Sequence, residues 1–122
     1  MSQSSTVESV VEFEEPGTEV LTVIEDPAQV QEILEALGDP GCRSILQATT
    51  HQGLTATEIA ERCEIPLSTT YRKLELLTEI SLLTERTRIQ PKRKHASEYE
   101  LEIAQVGLLI PATGRPTVEL IE

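Results

Sequence analysis

Leu54-Thr55-Ala56-Thr57-Glu58-Ile59-Ala60-Glu61-Arg62-Cys63-Glu64-Ile65-Pro66-Leu67-Ser68-Thr69-Thr70-Tyr71-Arg72-Lys73-Leu74-Glu75-Leu76-Leu77 is the stretch that decides how this chain folds. Thr55 followed three residues later by Glu58 has the form of a capping box, in which hydroxyl and carboxylate each satisfy a backbone N–H at a helix start. Ala56, Ile59, Ala60 and Cys63 then line one helical face. Glu64-Ile65-Pro66-Leu67 interrupts that helix, and Ser68 is the expected cap of a second one. Thr70, Leu74 and Leu77 fall at i, i+4 and i+7, the buried side of the second helix. This phasing pushes Ser68, Thr69, Arg72 and Lys73 to the outer face, with Tyr71 at its edge.

Upstream, Asp26-Pro27 and Asp39-Pro40 are two helix starts, with Asp as cap and Pro at the first helical position. Val30, Ile33, Leu34 and Leu37 form one face of the first of these helices, and Gly38 is the expected left-handed stop. Cys42, Ile45 and Leu46 belong to the next, which ends near His51-Gln52-Gly53. Glu19 to Ile24 reads as a short strand. Residues 1–18, polar and acidic and ending in Glu14-Glu15-Pro16-Gly17, read as a flexible arm.

Downstream the period changes. Leu83 to Ile89 alternates loosely, Gln90-Pro91-Lys92-Arg93-Lys94 is a polar turn, and Tyr99, Leu101 and Ile103 alternate strictly. These predict a hairpin. Val106 to Ile110 and Val118 to Ile121, around Ala112-Thr113-Gly114-Arg115-Pro116, predict a second one. The expected class is mainly α with a small β component (α+β): a winged helix-turn-helix domain over 19–104 and a C-terminal β-hairpin over 105–122 packed on it. The physical logic is that the break angles two helices so the second projects its outer face. A helix of that kind fits the major groove of DNA, where base edges carry a readable pattern.

Charge at first argues against that reading, because 21 acids against 10 bases leave the 122 residues at net −11, and phosphates repel an acidic protein. The distribution is uneven. From Met1 to Cys42 there is no Lys or Arg. From Ser68 to His95 the bases Arg72, Lys73, Arg86, Arg88, Lys92, Arg93 and Lys94 outnumber Glu75, Glu79 and Glu85. Local potential, not total charge, steers an encounter. The acidic excess fits either a protein of a very salty cytoplasm or a solvating tail.

The two motif segments resemble the winged helix-turn-helix transcriptional regulators of the arsenic-repressor-like and sugar-regulator-like types. Leu37-Gly38-Asp39-Pro40-Gly41-Cys42-Arg43-Ser44-Ile45-Leu46 resembles the lead-in to that motif. Thr87-Arg88-Ile89-Gln90-Pro91 with His95 and Tyr99 resembles the wing of a group common in salt-loving archaea, which implies a halophilic archaeal origin. The resemblance spans about Val30 to Leu101. It implies that Ser68, Thr69, Tyr71 and Arg72 face the groove and that Arg88, Lys92, Arg93 and Lys94 lie along the backbone or minor groove. Lys73, Arg86 and His95 complete the expected DNA-binding set. Ser81 stands where the family usually has Gly before the wing. Metal-sensing relatives use paired cysteines on the first motif helix; only Cys63 stands there, so metal sensing is not implied.

Each candidate has a plainer reading. Arg72 and Lys73 could be a solvated face, Tyr71 half-buried packing, Lys92-Arg93-Lys94 a solubilising loop, and His95 a hydrogen-bonded turn residue. Cys42 and Cys63, without a C-x-x-C pair, read as buried reduced thiols rather than a disulfide or metal ligands. There is no catalytic triad, Gly-rich phosphate loop or metal cluster, so neither an enzyme nor a cofactor is expected. No apolar run long enough to span a membrane and no signal peptide is seen, so the expected location is cytoplasmic. The leading expectation is a regulator that binds double-stranded DNA, as a homodimer because one recognition helix reads only a few base pairs. The other is a winged-helix adaptor, with acidic arm and C-terminal hairpin meeting basal transcription machinery. Helix-face basics offset by acids, or a wing turned away from the helix, would favour the adaptor.

Overall fold

The computed structural model describes residues 20–91 and 94–121. Strand β1 (Val20–Ile24) is followed by helices α1 (Pro27–Gly38) and α2 (Pro40–Ala48), then a two-residue strand β2 (Leu54–Thr55). Helices α3 (Ala56–Cys63) and α4 (Leu67–Glu79) form the central pair. Strands β3 (Leu83–Arg88) and β4 (Ala96–Leu101) make the hairpin expected to be the wing and called so below, and β5 (Gln105–Leu109) and β6 (Thr117–Ile121) close the described chain. The expected arm over 1–18 lies outside the described residues, as do Lys92 and Arg93.

Both Asp-Pro starts behave as their chemistry dictates. Asp26 accepts from the Gln29 N–H at 3.0 Å, and Asp39 accepts from the Cys42 N–H at 2.9 Å. The capping box is complete: Thr55 N–H donates to Glu58 Oε1 at 2.8 Å, and Glu58 N–H donates to Thr55 Oγ1 at 3.2 Å. Ile33, Ile45, Ile59, Leu74, Leu77 and Leu82 from the helical half meet Val118 and Leu120 of β6 in one apolar core. Leu34, expected on the buried face of α1, is 38% exposed, and Ala36 is buried in that helix instead.

Two local expectations are corrected. Gly38 is not a left-handed stop, because Asp39 must itself be extended (φ −88°, ψ 122°) to cap α2, so α1 passes straight into that cap. Ser68 is not the cap of α4. Pro66 occupies that position, its carbonyl accepting from the Thr70 N–H at 2.9 Å and from Thr70 Oγ1 at 3.0 Å. Ser68 thus lies inside the first turn with an exposed side chain.

The strands form two antiparallel three-stranded sheets. In the wing sheet, ordered β2-β4-β3, Leu54 faces Tyr99 and Arg86 faces Glu98. In the other, ordered β1-β6-β5, Ile24 faces Val118 and Leu108 faces Val118 from the opposite side. The C-terminal hairpin therefore takes in β1, and its inner residues join the same core as the helices. Ser81, the residue standing for the family's glycine, has φ +67°, the left-handed region that favours glycine. Among the described residues no helix is long and apolar enough to cross a membrane.

Candidate nucleic-acid interface

Helix α4 is anchored by Thr70, Leu74 and Leu77, all buried. Its outer face therefore presents Ser68, Tyr71 and Arg72, with Thr69 and Lys73 half-buried at the flanks. Tyr71 is 52% exposed, so about half of it stands open to solvent at the edge of this face. The face divides in two along its length: hydroxyls and bases occupy the N-terminal half, and exposed Glu75 and Glu79 follow.

The bases differ in how committed they are. Lys73 Nζ lies 2.6 Å from Asp39 Oδ2 and donates to it. That hydrogen bond, aided by the Cys42 N–H, holds the Asp39 carboxyl down at about 2. Burial, and then the Asp39 carboxylate, push the neighbouring Cys42 thiol up to about 11, so it stays protonated and inert as nucleophile or ligand. Cys63 is raised by burial as well, and both thiols are free.

The wing holds a charge ladder. Thr84, Arg86 and Arg88 of β3 lie on the same sheet face as Glu98 and Glu100 of β4, as their register requires. Arg86 Nη2 donates to Glu100 at 2.5 Å and to Glu102 at 2.6 Å. Arg88 donates through Nε to Glu98 at 2.9 Å, through both terminal nitrogens to Glu58 at 3.0 and 3.1 Å, and through Nη2 to the Gly53 carbonyl at 3.1 Å. A side chain at Gly53 would run into the Glu98 carboxylate, so the bare backbone there lets the cluster close. Glu58 is drawn below the usual carboxylate range, first by Arg88 and then by the Thr55 N–H. The Arg88 guanidinium is held still more firmly protonated by Glu58 and Glu98.

Arg88 also walls an open cleft of about 470 Å³ between the start of α3, Tyr71 and the wing, with Thr57, Gln90, His95 and Ser97 among its polar lining. At the wing turn, His95 Nδ1 accepts from the Gln90 N–H at 3.2 Å, so His95 ties the turn together. Lys94 is exposed beside it. Arg72 and Lys94 have no ion-pair partner among the described residues. The structure thus gathers Ser68, Thr69, Tyr71 and Arg72 on one helix face, sets Lys94 and His95 at the wing turn, and turns Lys73, Arg86 and Arg88 toward carboxylates. Glu58, Glu98, Glu100 and Glu102 were missed because charge was counted along the chain. Folding Thr84 to Arg88 back on Glu98 to Glu102 across the turn would have found the ladder.

Residues 37–86 match the family model described as a helix-turn-helix domain. No curated protein matches the chain. Among solved structures, reduced HlyU from Vibrio cholerae N16961 is similar at 23% identity and TM-score 0.50, over 61% of this chain and 73% of that one. NolR from Sinorhizobium fredii is similar at 18% and 0.54, over 66% and 75%. An ArsR family transcriptional regulator is similar at 23% and 0.50, over 65% and 76%. At these identities the likeness is one of fold. With its two adjoining hairpins, the chain has the winged helix-turn-helix fold, and its residues 37–86 are similar to the helix-turn-helix domain family.

Proposed function

We propose that the protein is a transcription regulator that binds double-stranded DNA as a homodimer, α4 entering the major groove and the wing turn following the backbone. The observation that carries this reading is the outer face of α4: Ser68, Tyr71 and Arg72 stand exposed on a helix whose opposite side is locked into the core. Short hydroxyl side chains permit close approach, and an arginine can hold a guanine edge by two hydrogen bonds. The helix-turn-helix match and the solved transcription regulator of like fold support the same use. Within this reading Thr69 lies at the groove margin, and Lys94 and His95, with Lys92 and Arg93 beside them in sequence, contact phosphates. An acid-rich surface suits a cytoplasm of high potassium, the setting expected of a halophilic archaeon. DNA binding and the lack of any spanning helix among the described residues suit a cytoplasmic protein.

One observation favours a second reading, a protein-protein adaptor. Lys73, Arg86 and Arg88 are neutralised by Asp39, Glu58, Glu98, Glu100 and Glu102. A mobility-shift assay with genomic fragments in molar potassium salt separates the two. DNA binding gives a sequence-specific shift, and Arg72→Ala weakens it by about 1–3 kcal/mol. No specific shift from folded protein overturns the DNA reading and leaves the adaptor.

A further inference from the structure

The two sheets leave four edges among the described strands. Edge strands expose unpaired backbone donors and acceptors, and proteins guard them with brevity, charge, proline or bulges. In the wing sheet β2 has two residues, and β3 carries Glu85, Arg86 and Arg88. In the other sheet β1 has a register irregularity between Val20 and Thr22 and runs into Glu25 and Asp26. β5 has none of these protections. Gln-Val-Gly-Leu-Leu bears no charge, no proline and no irregularity, and the uncharged run extends from Ile103 to Gly114. Leu108, Leu109 and Ile110 are 54%, 43% and 69% exposed. Gly107, in the middle, has no side chain to keep a second backbone away.

We infer that β5 pairs antiparallel with β5 of a second copy of this chain, joining the two β1-β6-β5 sheets into one six-stranded sheet across a two-fold axis. This rests on the homodimer reading above and gives it a surface. Charge selects the occupant. Two copies at net −11 repel wherever carboxylates meet. The apolar spot on α1, Leu34, sits between exposed Glu32 and Glu35. β5 lets two copies touch with no carboxylate on the contacting strand. A two-fold axis also brings a patch onto itself, and an uncharged strand in antiparallel pairing complements its own copy. A charged partner would find no charge on β5 itself, and the neighbouring carboxylate, Glu119 of β6, lies over Gly107 on the sheet face rather than along the open edge.

The test uses the full chain in molar potassium chloride, which screens the net charge. Light scattering gives the mass of wild type, Leu109→Glu and Val23→Glu. Both substitutions fall on the outer face of this sheet, one on β5 and one on the opposite edge strand. Circular dichroism and thermal midpoints confirm that both variants fold. The expected result is a dimeric wild type, a monomeric Leu109→Glu and a dimeric Val23→Glu. Hydrogen exchange of wild type at low and high protein concentration provides a reading that needs no variant: amides of 105–109 gain protection as concentration rises. Dissociation of both variants means the sheets stack by their faces and overturns the edge pairing. A dimer that survives Leu109→Glu, or protection gained on 27–38 instead, overturns the β5 surface but leaves the homodimer standing. A wild type that stays monomeric at every concentration overturns both, while the mobility shift still decides DNA binding.

Discussion

Glu98 faces Arg86 in the strand register, yet its carboxylate accepts from Arg88, which also forks onto Glu58. An arginine so held can reach a phosphate only by giving up a carboxylate. Exposed ion pairs contribute about 0–1 kcal/mol each; the Arg88 pairs are part-buried, and a phosphate can take the place of a carboxylate on the same guanidinium. Glu98→Gln keeps the shape and removes one competing charge. It is expected to tighten DNA binding a few-fold, alike for specific and scrambled duplexes, as read by fluorescence anisotropy; unchanged affinity would show that Arg88 takes no part. Ser81 poses a different question at the same scale. It is exposed and sits at φ +67° with its N–H bonded to the Thr78 carbonyl at 3.1 Å. A non-glycine residue in that region costs on the order of 1 kcal/mol, part of it regained by the stiffer unfolded chain. Ser81→Gly should therefore raise stability by about 0.5–1 kcal/mol in urea titrations and leave DNA affinity unchanged.

At the scale of elements, α2 begins on a residue with two duties. Asp39 caps the helix and pairs with Lys73 of α4, so one carboxylate ties the start of the domain to the proposed reading helix. Its folded pKa of about 2 lies below the ordinary value of 3.8. The stabilisation is therefore fully present above about pH 4 and is lost as pH falls toward 2. Asp39→Asn retains a capping oxygen but not the charge. It should lower the melting temperature at neutral pH and flatten the loss of stability between about pH 4 and 2, as followed by circular dichroism. The helices were legible because Asp-Pro, Thr-x-x-Glu and 3.6-residue spacing are local signals. Where α4 starts was not, because the helix begins at Pro66 without any side-chain cap, so the hydroxyl signal at Ser68 points two residues too far along. β2 was missed for a related reason: two residues carry no period, and only pairing with Tyr99 and Glu98 makes them a strand. The outward face of α4 followed from burying Thr70, Leu74 and Leu77. The neutralised wing did not, since it depends on which residues lie across a hairpin.

For the whole molecule, the proposed DNA binding leaves the wing turn to meet the phosphates, since the acidic balance and the committed arginines offer little elsewhere. Each phosphate neutralised by a base contributes about −0.9 to the slope of log affinity on log salt. Replacing Lys92, Arg93 and Lys94 together with Ala should flatten that slope by about 1 for every phosphate left without its base, and weaken all sequences alike, as measured by anisotropy over a salt series. Sequence preference should survive, since the proposed function assigns it to Arg72. The described chain is also joined end to end, Ile24 pairing with Val118 and Val20 with Ile121. Nearly the whole described chain lies inside the loop which that pairing closes. Bringing such distant segments together is entropically costly before any packing rewards it, and folding slows as pairings become less local. Helices α1 to α4 and the wing rest on nearer neighbours. During synthesis β1 emerges well before β6, so among the described residues the sheet that carries the bare β5 edge can be completed only after the helices and the wing have been made.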